Sequence, residues 1–204
     1  HTANTTEMNC DQFTCGNKPP EDPTACANGG TCAGPNECIN CHYPFFGELC
    51  LEAYRYVHPD GVDTGNTCLE QSFPCKTLEH VFSIVTLRNR VVLMGGEFTL
   101  PLSSIYLRHP VYLIGQENSV ITTNRFHSLN TFPFIVNMRS NVEVRISDIT
   151  FRNIRSSALF RVFYGSNSRF LLQNVNFSDS NQFLNYEGDG SLSVDVSNVS
   201  FLRN

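Results

Sequence analysis

The chain has 204 residues, a net charge of −5, two lysines against twelve arginines, and nine cysteines. Its length suits one medium domain plus a small module, its acidic balance excludes a basic nucleic-acid footprint, and no apolar run reaches the ~18 residues of a bilayer-spanning helix. All nine cysteines fall between residues 10 and 75, a density that places the chain in oxidising, extracellular surroundings. The start at His1, with no charged and apolar leader, predicts a secreted protein whose signal peptide has been cleaved, or else a fragment. Sequons at Asn4, Asn176 and Asn198 predict N-linked glycans.

Residues 1–52 form the first predicted unit. From Cys26 the spacing is Cys26-x5-Cys32-x5-Cys38-x2-Cys41-x8-Cys50, with Asn28-Gly29-Gly30-Thr31 before the second cysteine and Gly47 three residues before the last. Glycines of this kind permit positive φ in tight turns, while sulfur replaces a core too small to hold itself. This segment resembles an EGF-like module. The resemblance implies disulfides Cys26–Cys38 and Cys41–Cys50, with Cys32 bonded to Cys15 or to Cys10; the residues do not choose between these two. Neither "TEMNC" nor "DQFTC" supplies the acidic consensus of the calcium-binding members, so no calcium is expected. Cys38-Ile39-Asn40-Cys41-His42 also matches the CxxCH of covalent haem attachment, and zinc is a further use for clustered cysteines. The single motif in a cysteine- and glycine-rich setting favours a disulfide framework, and no cofactor is expected.

Residues 53–88 read as an entry segment. Cys68 and Cys75 close the short loop "CLEQSFPC" after a turn-rich stretch, and a local disulfide is the simplest use of them. That leaves Cys10 or Cys15 over, free to bond another chain. "KTLEHVFSIVTL" places Leu78, Val81, Phe82 and Val85 at helical spacing after Thr77, a plausible N-cap. A capping helix is therefore predicted.

Residues 89–204 contain no cysteine. Upstream, "RVVLMGGEFTL", "SIYLRHPVYLIGQ" and "SVITTN" are short β-rich runs separated by turns. Downstream, "VRISDITFRN", "FLLQNVNFSD" and "VDVSNVSFLR" align without gaps and place Phe151, Phe177 and Phe201 in equivalent positions. Repetition at this period signals a solenoid. Within each unit the apolar residues alternate, change parity at Asp148, Asn174 or Asn198, and alternate again; a flat strand would turn the second pair outward. Asp and Asn tolerate a left-handed conformation, so a corner there keeps both pairs inside. The segment from about His58 onward resembles a pectin-lyase-like right-handed parallel β-helix, and "GVDTGNTCLEQSFPCKTL" resembles the entry of β-helical surface proteins from microbial eukaryotes. The predicted fold is thus all-β, a disulfide-rich EGF-like module followed by a β-helix with an N-terminal capping helix.

The pectin-lyase-like resemblance also implies an enzyme hypothesis, an acidic-polysaccharide lyase or hydrolase. Such chemistry needs paired carboxylates or carboxylates with a basic residue, whereas Glu97, Glu117, Glu143, Asp148, Asp179, Glu187, Asp189 and Asp195 are scattered. No catalytic residue and no metal ligand is assigned. Arg139, Arg145, Arg152, Arg155, Arg161 and Arg169 form a series able to hold acidic glycans, or simply to wet the outer face of a buried column. The chain stops within a repeat, which predicts further coils or a neighbouring subunit over that end. The expected function is that of an extracellular structural glycoprotein, self-associating through solenoid ends as a homo-oligomer, filament or coat, without catalysis; an adhesive or receptor-binding ectodomain is the other non-enzymatic alternative.

Overall fold

The computed structural model describes residues 13–85, 89–107, 109–123, 132–137, 143–154, 158–163, 168–180, 183–187 and 191–202. Two compact units meet in the chain between Ala53 and Tyr54.

In the first unit β1 (Thr31–Gly34) and β2 (Glu37–Ile39) form an antiparallel hairpin with Cys32 opposite Cys38. The turn contains Asn36 at φ 55°, a left-handed value that asparagine accepts readily. β3 (Phe45–Phe46) pairs antiparallel with the first residues of β4 (Glu52–Val57). The core consists of Cys15, Ala25, Cys26, Cys38 and Cys50, so disulfides fill the interior that apolar side chains occupy in larger domains. Gly30 is needed there: a Cβ would lie 2.4 Å from Cys50 Sγ.

The second unit begins with the remainder of β4. Tyr56 N–H donates to Cys68 O at 2.7 Å and Cys75 N–H to Tyr56 O at 2.9 Å, which seats the Cys68–Cys75 loop along this strand. α1 (Leu78–Ile84) follows, with Thr77 as N-cap accepting from His80 N–H. It buries Leu78, Val81 and Phe82 in the solenoid core. The helix is shorter than its apolar spacing suggests, because Val85 is already extended at φ −69°, ψ 119°. A β-branched residue loses side-chain freedom in a helix and gains little there.

Beyond α1 the body is a parallel β-solenoid. Successive turns run through β5 (Asn89–Met94), β6 (Glu97–Thr99) and β7 (Ile105–Leu107); β8 (Val111–Gln116), β9 (Val120–Thr122) and β10 (Phe134–Asn137); β11 (Glu143–Ser147), β12 (Thr150–Arg152) and β13 (Phe160–Phe163). In β14 (Ser168–Ser178) the first two strands of a turn fuse across the corner; β15 (Leu184–Glu187) follows, and β16 (Leu192–Leu202) opens the next layer.

Three columns of side chains fill the interior. On one face Val91, Leu113, Ile146, Leu172 and Val196 are in register. On the second are Phe98, Ile121, Phe151, Phe177 and Phe201. On the third are Ile105, Phe134, Phe160 and Leu184. Stacked rings run along the axis: centroids are 5.2 Å apart for Phe151–Phe177, 4.9 Å for Phe177–Phe201 and 5.0 Å for Phe134–Phe160. These distances follow from the inter-strand spacing of about 4.8 Å.

The corners differ between turns. Early ones use two left-handed residues, Gly95 and Gly96 and then Glu117 and Asn118; later ones use Asp148, Asn174 and Asn198 singly, at φ 59°, 53° and 52°. Buried Ser119 ties the early corners together, accepting from Gly95 N–H at 3.2 Å and donating to a carbonyl, that of Gln116 at 2.6 Å or of Leu93 at 3.0 Å.

Two predictions follow from this packing. Phe151→Ala, at a fully buried ring, is expected to cost about 3–5 kcal/mol; Phe201→Ala, at the exposed end of the same column, should cost under about 1 kcal/mol in dilute solution. Urea denaturation of both variants measures the contrast. The second concerns Asp63, whose Oδ1 accepts from Lys76 and Thr77 N–H and whose Oδ2 accepts from the Thr77 hydroxyl, fastening the start of α1 to the turn that precedes the disulfide loop. Burial raises the affinity of this carboxyl for its proton, but the Thr77 and Lys76 hydrogen bonds and the His80 charge outweigh it and hold the pKa below the ordinary 3.8. Its folded pKa is therefore the depressed one, so its stabilisation is complete above the unfolded value and lost as pH falls through the folded value. Thermal melts below about pH 4 should show a decline that is reduced in Asp63→Asn.

Candidate functional site

The groups able to do chemistry are the sulfurs, the carboxylates and arginines on the solenoid surface, and the polar corner. Cys15 is bonded to Cys32, Cys26 to Cys38, Cys41 to Cys50 and Cys68 to Cys75. Cys15 thus takes the place that the residues left open between it and Cys10, and Cys10 lies outside the described residues. Both sulfurs of the CxxCH stretch are committed, to separate disulfides, and offer no thiol for haem thioethers. His42 lies against Gly29, where a Cβ would come within 2.4 Å of the ring. Cys68 and Cys75 also adjoin His80. That imidazole faces the Asn66 carbonyl at 2.8 Å, and the sulfurs bond each other and not a metal.

The described arginines of the series are joined to carboxylates of their own strand, of the adjacent strand or, for Arg152, of β6 two strands away. Arg145 reaches Glu143 at 2.6 Å, Arg152 reaches Glu97 at 2.5 Å, Arg161 reaches Glu187 at 2.7 Å and Arg169 reaches Asp195 at 2.7 Å. Arg139 and Arg155 lie outside the described residues. The Glu143 hydrogen bond raises the Arg145 pKa, so this guanidinium stays charged. Arg145 also stacks over Tyr112 at 4.8 Å, and Arg90 lies between Tyr54 and Tyr112 at 5.6 and 5.7 Å. Tyr112 donates to Glu143 at 3.3 Å. Each exposed ion pair is worth only about 0–1 kcal/mol, but together they occupy the guanidinium groups that an acidic glycan would need.

These partners were missed in sequence reading, although a signal existed. Arg161 and Glu187, and Arg169 and Asp195, are one repeat apart, so aligning the turns places them on adjacent strands. Tyr112 carried no comparable signal, because its turn precedes the clear repeats.

Among the described residues the carboxylates are not gathered around a common centre, and Asp189 lies outside them. Glu97, Glu143, Glu187 and Asp195 face arginines, and Asp148 accepts at the corner from Asn174 Nδ2 at 2.8 Å. A concavity of about 420 Å³ beside α1 and β7 is lined by Glu79, Phe82, Ser83, Tyr106 and His109 among others. Among the described residues its one carboxylate is Glu79, which accepts from the Ser103 hydroxyl at 3.1 Å. The two-carboxylate arrangement of glycoside hydrolysis is not formed there.

The corner is a directional amide ladder. Asn198 Nδ2 donates to Asn174 Oδ1 at 2.9 Å, and Asn174 in turn donates to Asp148. Aspartate, which only accepts when ionised, suits the bottom of such a ladder. The sequons are therefore not equivalent. Asn176 is exposed between inward Val175 and Phe177, and its Oδ1 accepts from the Ser200 hydroxyl at 2.6 Å. Asn198 is exposed as well but is itself the corner, its amide already a donor. Asn4 lies outside the described residues. Searches against protein-family models, curated proteins and solved structures find no match for the chain.

Asn174→Ala removes both ladder bonds and places a Cβ residue at φ 53° without amide compensation. It is expected to lower stability by about 1–3 kcal/mol. Asn174→Gly should recover the conformational part alone; thermal denaturation of the pair separates the two effects.

Proposed function

We propose that this chain is an extracellular structural glycoprotein that self-associates and performs no catalysis. Four disulfides suit an oxidising compartment, and no helix is long and apolar enough to cross a membrane among the described residues. The observation that carries the assembly reading is that each layer of the solenoid is covered only by the next. Val196 is 63% exposed where Leu172 beneath it is 3%, and Phe201 is 67% exposed where Phe177 is 3%. Side chains of one column are thus buried or bare only according to whether another layer covers them. A strand edge backed by bare apolar side chains is a template for further chain.

The first unit is read as EGF-like. Its support is the order of pairing along the chain, first with third, second with fourth and fifth with sixth, among Cys15, Cys26, Cys32, Cys38, Cys41 and Cys50. The body is read as pectin-lyase-like in form, with its surface carboxylates engaged by arginines and its corner by amides, which supports a non-catalytic role over a lyase or hydrolase.

Light scattering on size-exclusion fractions is expected to show a mass that rises with protein concentration. Incubation with acidic polysaccharides should release neither unsaturated nor new reducing ends. A mass fixed at that of one chain would overturn the assembly reading, and product release would return the enzyme reading.

A further inference from the structure

Two outward tyrosines on successive turns differ in their surroundings. Tyr112 on β8 donates to Glu143 and lies under Arg145. Tyr106 on β7 is half exposed, and among the described residues its hydroxyl has no hydrogen-bond partner. It lines the concavity of about 420 Å³ beside α1 and β7, a volume within the ~300–1,000 Å³ of small-molecule sites. In the same concavity Ser104 and His109 are half-buried, and among the described residues neither side chain is hydrogen-bonded or ion-paired. Glu79 uses Oε1 on the Ser103 hydroxyl and, among the described residues, leaves Oε2 unengaged. Phe82, Val85 and Ile105 supply apolar wall. Polar groups that are half-buried without an internal partner are uncommon, since water reaches them poorly. A ligand that meets all four recovers that cost.

The groups are positioned before any ligand arrives. Glu79 belongs to α1, whose Leu78, Val81 and Phe82 are fixed in the core. His109 stands between buried Leu107 and Val111, and Pro110 after it restricts its backbone to extended values. Side chains carried on anchored elements lose little freedom on binding.

We propose that this concavity binds a neutral saccharide unit. A sugar hydroxyl both donates and accepts, which matches a set made of the Tyr106 and Ser104 hydroxyls, the His109 imidazole and the Glu79 carboxylate. The C–H face of the sugar suits Phe82, Val85 and Ile105, and tyrosine offers an apolar body and a polar tip together. Other ligand classes satisfy less of the wall. An acidic sugar would set its carboxylate or sulfate against Glu79. An ammonium brings donors only, whereas Tyr106, Ser104 and the imidazole already supply donors. A hydrocarbon would strand all four polar groups. None of these residues belongs to the layer invoked for self-association, so saccharide binding and assembly stand or fall separately.

The test titrates the intact, isotope-labelled chain with neutral probes, maltotriose, cellotriose, mannotriose and N-acetylchitotriose, and with trigalacturonate as the acidic one, while amide chemical shifts are followed. Saturable shifts are expected at Ser83, Ser104, Tyr106 and His109 with at least one neutral probe, and none there with trigalacturonate. Tyr106→Ala and His109→Ala should each weaken that binding roughly ten-fold, with the circular dichroism spectrum unchanged. Should a variant unfold, the shift map of the parent chain decides. No saturable shift with any neutral probe, shifts that map elsewhere, preference for trigalacturonate, or full binding by both folded variants overturns the proposal. Light scattering on the same samples reports assembly independently.

Discussion

The structure depends on one backbone event repeated in each late turn: a single residue enters the left-handed region and reverses the alternation of the side chains. At Asp148, Asn174 and Asn198 this keeps Ile146 and Ile149, Leu172 and Val175, and Val196 and Val199 on the same side of a bent strand. Without the reversal half of the apolar residues would face water. With it, each turn closes around its own interior, and the stacking of rings and aliphatic groups between turns does the rest. The amide ladder holds adjacent corners together, so the residue type that permits the bend also joins the bends.

That dependence explains the uneven use of sulfur. A turn of the body is stabilised by its neighbours above and below, and a stack of turns buries enough apolar surface to need no covalent tie. The first unit is not built of stacked turns. Its short strands enclose little more than cysteine and alanine, and cross-links that restrict the unfolded chain substitute for burial. The Cys68–Cys75 loop is the intermediate case, a local disulfide at the entry of the solenoid, with Asp63 in the preceding turn holding the start of α1.

The same logic governs the surface. Strands 4.8 Å apart bring outward residues of successive turns within reach of each other, so charges one repeat apart form pairs before any ligand arrives. Arg161 with Glu187 and Arg169 with Asp195 are of this kind. A face that reads as a strip of free guanidinium groups along the chain becomes, in three dimensions, a set of neutralised pairs flanked by Tyr112 and Arg90.

Patterns with a short period were legible from the chain alone: the disulfide-rich segment, the late repeats, their aligned phenylalanines and the residues at which they bend. Each is local, since backbone preference and alternation act over a few neighbours. The early corners at Gly95–Gly96 and Glu117–Asn118 and the Ser119 tie were not, because they depend on which carbonyls and amides of the adjoining turn lie within reach. The choice of Cys15 over Cys10 as the partner of Cys32 and the pairing of arginines with carboxylates were decided only in space. Sequence determines what each residue can do with its neighbours along the chain; tertiary structure decides which distant group occupies the remaining hydrogen bond, charge or apolar face.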